Sequence, residues 1–303
     1  MTRSRTCREN RLQPRNKGSR KVSRNDHYVA ETYLKHFLGP DKFLYAYRKS
    51  NGKQFPTRPD SICHELDGDL IPDFLSDPTL LGQYRTIFEP QWSLAVEELK
   101  AGSLSHNGKF AIAGYWANLL VFTPARCRLD VKMHDRAVVQ HLTSRHTLLS
   151  DIGRSDPELG DAVDALTSGI VRVETEPDAM RAMRVRHVLR LAWALYNSDW
   201  TIIRNTTGAE FVTSDNPVAF EDPGPWRGTA PPLRRFLPVT QTLCLICLPR
   251  PPGQKEPNFD KPPRGEIRIA NLQREGVRRI NRAIAQCAED LVIPRIRLPE
   301  SRL

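Results

Sequence analysis

Residues 108–122 read Gly-Lys-Phe-Ala-Ile-Ala-Gly-Tyr-Trp-Ala-Asn-Leu-Leu-Val-Phe, apolar on nearly every side. A helix that is hydrophobic all round has no face to offer water, so other elements must wrap it. The stretch therefore demands a central buried helix and a fold large enough to surround it. The chain has 303 residues, 39% of them hydrophobic, which is enough to bury a large core as one large domain or two small ones. No uninterrupted apolar run reaches the roughly 18 residues that a membrane span requires.

The flanking periodicities predict what does the wrapping. Residues 26–38 are expected to form a helix capped by Asp26, with Val29, Tyr33, Leu34 and Phe37 on one face. Phe43–Tyr47 alternates as a strand before an Asn51-Gly52 turn. Residues 56–80 hold Pro and dispersed acids, and Asp67-Gly68-Asp69 does not match an EF-hand loop, so the segment reads as a solvated connection. Helices follow over 83–100, 128–150 and from Thr175 to about Asn197. Asp156-Pro157-Glu158 has the form of a helix start. In the Thr175 helix, Met180, Met183, His187, Leu191 and Leu195 trace an apolar face, which makes His187 a core histidine.

After Asn197 the pattern turns to strands. Trp200–Ile203 and Glu210–Thr213 read as a hairpin across Thr207-Gly208, with further strands at 242–248, 266–270 and 291–296 and a helix over 271–288. Residues 222–232 and 249–263 are Pro-rich loops. The expected class is α+β, with a helical body over about 84–197 and a mixed, mostly antiparallel sheet mainly from 199–297. The strand near 43–47 is a candidate to join that sheet. With no linker splitting it cleanly, 26–303 reads as a single domain.

Charge is unevenly placed. In residues 1–24, nine Lys and Arg stand against Glu9 alone, so this arm carries +8 of the net +10. Residues 1–25 are disordered by composition, and residues 3–24 could lie along nucleic-acid phosphates; a solvated tail accounts for the same charge. The arm has no apolar region of a secretory signal, and the six Cys are scattered, so a reduced cytoplasmic home is expected. Cys244 and Cys247 sit among apolar neighbours and read as core thiols.

The densest polar signal is Phe211-Val-Thr-Ser-Asp-Asn-Pro-Val218. Pro217 ends any strand ladder and extends Asn216, and Ser, Asp and Asn side chains can bond nearby amides. The octet is a sharp polar turn at a strand end. It serves either as plain architecture or as a platform for a metal, a phosphate or a general base. The octet resembles the signature of an uncharacterised, mainly bacterial family called domain of unknown function 4238. Three further segments are similar to that family: His27-Tyr28-Val29 with Tyr33-Leu34 and Phe37, Thr123-Pro124-Ala125-Arg126, and Asn281 to Val292. Ala30 departs from the family's usual Pro, and Phe122 stands where Arg is expected. The resemblance implies a common fold and a common site region, and brings no activity with it.

Two functional classes stay open. The first is a metal-dependent hydrolase of phosphodiesters, nuclease-like, with Mg2+ or Mn2+ on Asp215 and Glu89 and with His27 as ligand or acid–base group. Thr213, Ser214 and Asn216 would orient substrate, and Arg126, Arg274, Arg278 and Arg282 would clamp its charge. Each has a plainer reading: a capping histidine, an exposed helix acid, a solvated basic stripe. The second class is a non-catalytic regulatory protein, either binding nucleic acid or a partner through the arm or using the polar turn as plain architecture. No Walker, Rossmann, HExxH or GxSxG pattern argues for other chemistry.

Overall fold

The computed structural model describes residues 25–144, 174–220, 234–248 and 257–297, with isolated positions between 160 and 170. The basic arm, Asp156-Pro157-Glu158 and most of the two Pro-rich loops lie outside the described residues. The fold is α+β. Eight α-helices and eleven strands occur among the described residues, the strands in a two-stranded, a five-stranded and a four-stranded sheet.

Helix α4 (His106–Phe122) is the axis, as its all-round apolarity demands. Ser105 caps it by accepting from the Gly108 amide at 3.0 Å. It packs against α2 (Leu80–Phe88), α3 (Trp92–Ala101) and α7 (Val188–Tyr196). Gly114 of α4 touches the Phe88 ring so closely that any Cβ there would collide with it. Gly114→Ala should therefore cost roughly 1–3 kcal/mol by overpacking, read as a lower urea midpoint at unchanged slope. No helix among the described residues is long and apolar enough to cross a membrane.

The five-stranded sheet runs β10 (Ile267–Leu272), β5 (Asp199–Asn205), β9 (Leu243–Leu248), β8 (Arg235–Pro238), β7 (Ala219–Phe220). Only β10 with β5 is parallel; the other neighbours are antiparallel. Trp200 and Ile202 of β5 join the main helical core, while Ile203 joins a second cluster with Val277, Ile280 and Ile284. Strand alternation thus feeds both faces, with α8 (Arg274–Cys287) covering the second. Cys244 and Cys247 are buried, consistent with core thiols.

The four-stranded sheet runs β3 (Gln54–Thr57), β2 (Leu44–Arg48), β11 (Leu291–Ile293), β6 (Thr213–Ser214). The early strand therefore joins strands from the 199–297 region, pairing with β11, although that region is split between this sheet and the five-stranded one. The expected 200–213 hairpin does not form, because β6 pairs with β11 while β5 takes β9 and β10 as neighbours.

Other boundaries shift for local reasons. Pro90 splits the 83–100 helix into α2, a tight turn over Glu89–Gln91, and α3. The long C-terminal helix of the body divides into α6 (Pro177–Val185) and α7. His187 falls at that break and is exposed, not in the core. The first predicted helix shrinks to α1 (Glu31–Leu34), preceded by β1 (Asn25–His27), which pairs with β4 (His64–Leu66). Asp26 is thus not a helix cap, and His27 lies on a strand. The 124–144 stretch is one helix, α5 (Pro124–Ser144).

Candidate functional site

The Thr213–Pro217 turn carries the chain from the four-stranded sheet, through β6, to the five-stranded sheet, through β7. Such a crossover strands backbone groups that need partners. The Asp215 amide donates to the Leu291 carbonyl at 3.1 Å, and the Asp215 carboxylate takes up the amides of the segment that leads into β11. Its Oδ1 accepts from the Glu289 amide at 2.9 Å, and its Oδ2 from the Asp290 and Leu291 amides at 2.8 Å each. Asp215 is 5% exposed. Burial raises its carboxyl above the usual range, and the three amide bonds pull it back.

The neighbouring side chains of the turn are equally committed. Thr213 Oγ1 shares a 2.7 Å bond with the Tyr33 hydroxyl, which donates to the Pro238 carbonyl. Ser214 Oγ accepts from the Asn216 amide at 3.2 Å. Asn216 accepts from Thr123 Oγ1 at 3.0 Å and donates to the Cys287 carbonyl at 2.8 Å. Asn281 of α8 bonds the Val212 amide and the Glu210 carbonyl. The four segments that resemble the family therefore meet in one hydrogen-bonded latch.

His27 and Glu89 lie elsewhere, together, in a cleft of about 870 Å3 also lined by Asp26, Glu31, Asp69 and Arg85. Glu89 caps the C-terminus of α2. Pro90 stops the helix there, and the buried rings of Phe88 and Trp92 pin the turn on both sides. Burial pushes the Glu89 carboxyl up to about 7, with Arg85 drawing it down and Asp69 adding to the rise. Its side chain makes no hydrogen bond or ion pair among the described residues. A carboxyl half-protonated at neutral pH can give or take a proton.

His27 stands on β1 opposite His64, the two rings 5.4 Å apart. Burial lowers its pKa; nearby Glu31 raises it and His64 lowers it further. It is thus mainly neutral at pH 7. Nδ1 lies 3.9 Å from Glu31, and Nε2 is buried with no hydrogen-bond partner among the described residues. Arg85 fixes this strand: its guanidinium donates to the His27 carbonyl and pairs with Asp69 at 3.1 Å. Asp26 accepts from the Asp69 amide at 3.2 Å. Asp69 is buried, so the 67–69 segment is a wall of the cleft and not a solvated connection.

The predicted cations stand apart from this cleft. Arg126 lies 3.6 Å from Asp130 and packs over the Phe220 ring. Arg274, Arg278 and Arg282 are exposed on α8, and the last two pair with Glu275. Among the described residues no three His, Cys, Asp or Glu side chains gather to hold a metal. Asp215 does not line the cleft that Glu89 lines, and its oxygens already take three amide bonds. The donor set thus does not fit a Mg2+ or Mn2+ ion shared by Asp215 and Glu89.

The sequence reading missed Asp26, Glu31, Asp69 and Arg85. One signal was legible: Arg85 and Glu89 are four apart, one turn on the same helix face. No curated protein and no solved structure matches the chain. A family model described as "Protein of unknown function (DUF4238)" matches residues 25–297. The chain that folds its four resembling segments into one latch is a member of that family.

Proposed function

We propose that the protein is an acid–base hydrolase acting in the Glu89–His27 cleft. The observation that carries this reading is the Glu89 carboxyl, which shares a cleft with His27, is raised by burial to about 7 and has no side-chain hydrogen bond among the described residues. Glu89 transfers the proton to or from the leaving or attacking group, and neutral His27 serves as its counterpart. Arg85 holds the His27 strand in place and is a positioning residue.

Charge decides the substrate class. Five carboxyl side chains line the cleft (Asp26, Glu31, Asp67, Asp69 and Glu89) against the cations Lys35 and Arg85. Both cations are already matched, Arg85 by Asp69 and Lys35 by Glu31 at 3.5 Å. This lining favours a neutral or cationic substrate over the phosphodiester expected from the sequence, which would enter only with a counter-cation. The test is a hydrolysis screen of ester, amide, glycoside and phosphodiester substrates, the last with and without Mg2+ or Mn2+. Glu89→Gln should lower turnover about 10²–10⁴-fold and abolish a pH-dependent limb near 7. Full activity in Glu89→Gln would remove the assignment.

A second reading rests on the +8 arm, which suits a nucleic-acid partner bound by counterion release. Deleting residues 1–24 should then abolish salt-dependent binding while leaving hydrolysis of a small substrate intact.

A further inference from the structure

A second cleft, about 750 Å3, opens between the start of α5 and the start of α6. It shares no lining residue with the Glu89–His27 cleft. Its apolar lining consists of Phe122, Pro124, Cys127, Val131 and Pro177. Phe122 and Cys127 are buried, and burial keeps the Cys127 thiol protonated by raising its pKa. The frame is fixed by Arg184 of α6, which donates to the Val121 and Leu120 carbonyls and pairs with Asp130.

Four cations (Arg128, Lys132, Arg136 and Arg181) and three carboxylates (Glu65, Asp135 and Asp178) line this cleft. Arg181 pairs with Asp178 at 3.0 Å. Asp135 accepts from the Thr175 amide and hydroxyl. Arg128 pairs with Glu289 and also feels Glu65 across the cleft. Lys132 and Arg136 remain, exposed, four residues apart on one face of α5, with no carboxylate partner among the described residues. Two exposed cations beside five apolar lining residues, in a cleft whose cations outnumber its carboxylates by one, match a ligand with an anionic head and a hydrocarbon body.

We propose that this cleft binds an amphipathic carboxylate of the fatty-acid type. Its head sits at Lys132 and Arg136, and its chain lies on Phe122 and Val131. Binding needs no bond-making step and is independent of the Glu89 reading.

The test uses fluorescence of anilinonaphthalene sulfonate, itself an amphipathic anion, bound to the full chain. Dodecanoate, dodecanol and dodecyltrimethylammonium then compete for the dye. Dodecanoate should displace it at least about tenfold more effectively than the other two, and Lys132→Gln with Arg136→Gln should remove about tenfold of that affinity. Both positions are exposed, so the double variant should keep its fold, checked by circular dichroism. Val131→Asp, which places a carboxylate on the floor, should weaken dodecanoate further. The proposal falls if no dye binds, if the three competitors act equally, or if the double variant binds dodecanoate as the native chain does.

Discussion

Asp215→Ala is expected to lower the unfolding free energy by roughly 3–5 kcal/mol, close to the whole stability of a marginal domain. The substitution leaves the amides of Glu289, Asp290 and Leu291 without their acceptor, in a place that is nearly sealed from water. A hydrogen bond to a charged group contributes about 1.5–3 kcal/mol, and three on one carboxylate do not add fully. Urea unfolding followed by tryptophan fluorescence measures the loss. Asp215→Asn keeps the shape with one acceptor oxygen and should lose roughly half as much. Wherever it is folded, Asp215→Asn should retain turnover, since this carboxylate latches the turn after β6 to the segment that leads into β11. A stable but inactive Asp215→Asn would return the catalytic role to the turn.

Glu89→Gln should move stability the other way. In the unfolded chain this glutamate titrates near its ordinary 4.5; in the fold it titrates at about 7. Between these values the native state holds a proton that the unfolded state has released. Stability therefore falls as pH rises from the lower value through the upper, and the full penalty is present above it. Glutamine cannot ionise. The variant should match the native chain at about pH 4 and exceed it by roughly 1–3 kcal/mol at about pH 8, a range that allows for partial solvent contact at the site. Parallel thermal or urea unfolding at the two pH values reads this crossover. Gain of stability with loss of turnover is the signature of a group kept charged for chemistry. A variant less stable than the native chain at high pH would mark Glu89 as a structural acid.

The central helix was legible because its pattern admits one solution: an apolar stretch with no polar side has to be enclosed. Strands β2, β5, β9, β10 and β11 fell close to their expected places because alternation and β-branched residues speak locally. Partnership between strands was not legible. Thr213–Ser214 is adjacent in sequence to β5 but bonds β11, a choice made by the Asp215 contacts to residues 289–291. The site divided in the same manner. His27 and Glu89 stand out as single residues, yet the Asp69 that links Asp26 beside the one to Arg85 beside the other comes from a third segment, through tertiary bonds. The octet around Asp215 drew notice for its polar density. That density ties the turn after β6 to residues 289–291, whose orphan amides need a carboxylate as much as any substrate would.

The account turns on the protonation of one side chain. A carboxyl-carbon NMR titration of selectively labelled glutamate, with Glu89→Gln identifying the resonance, reads that property without knowledge of any substrate. A midpoint at about 7 is the predicted result, and a midpoint at the ordinary 4.5 would contradict it.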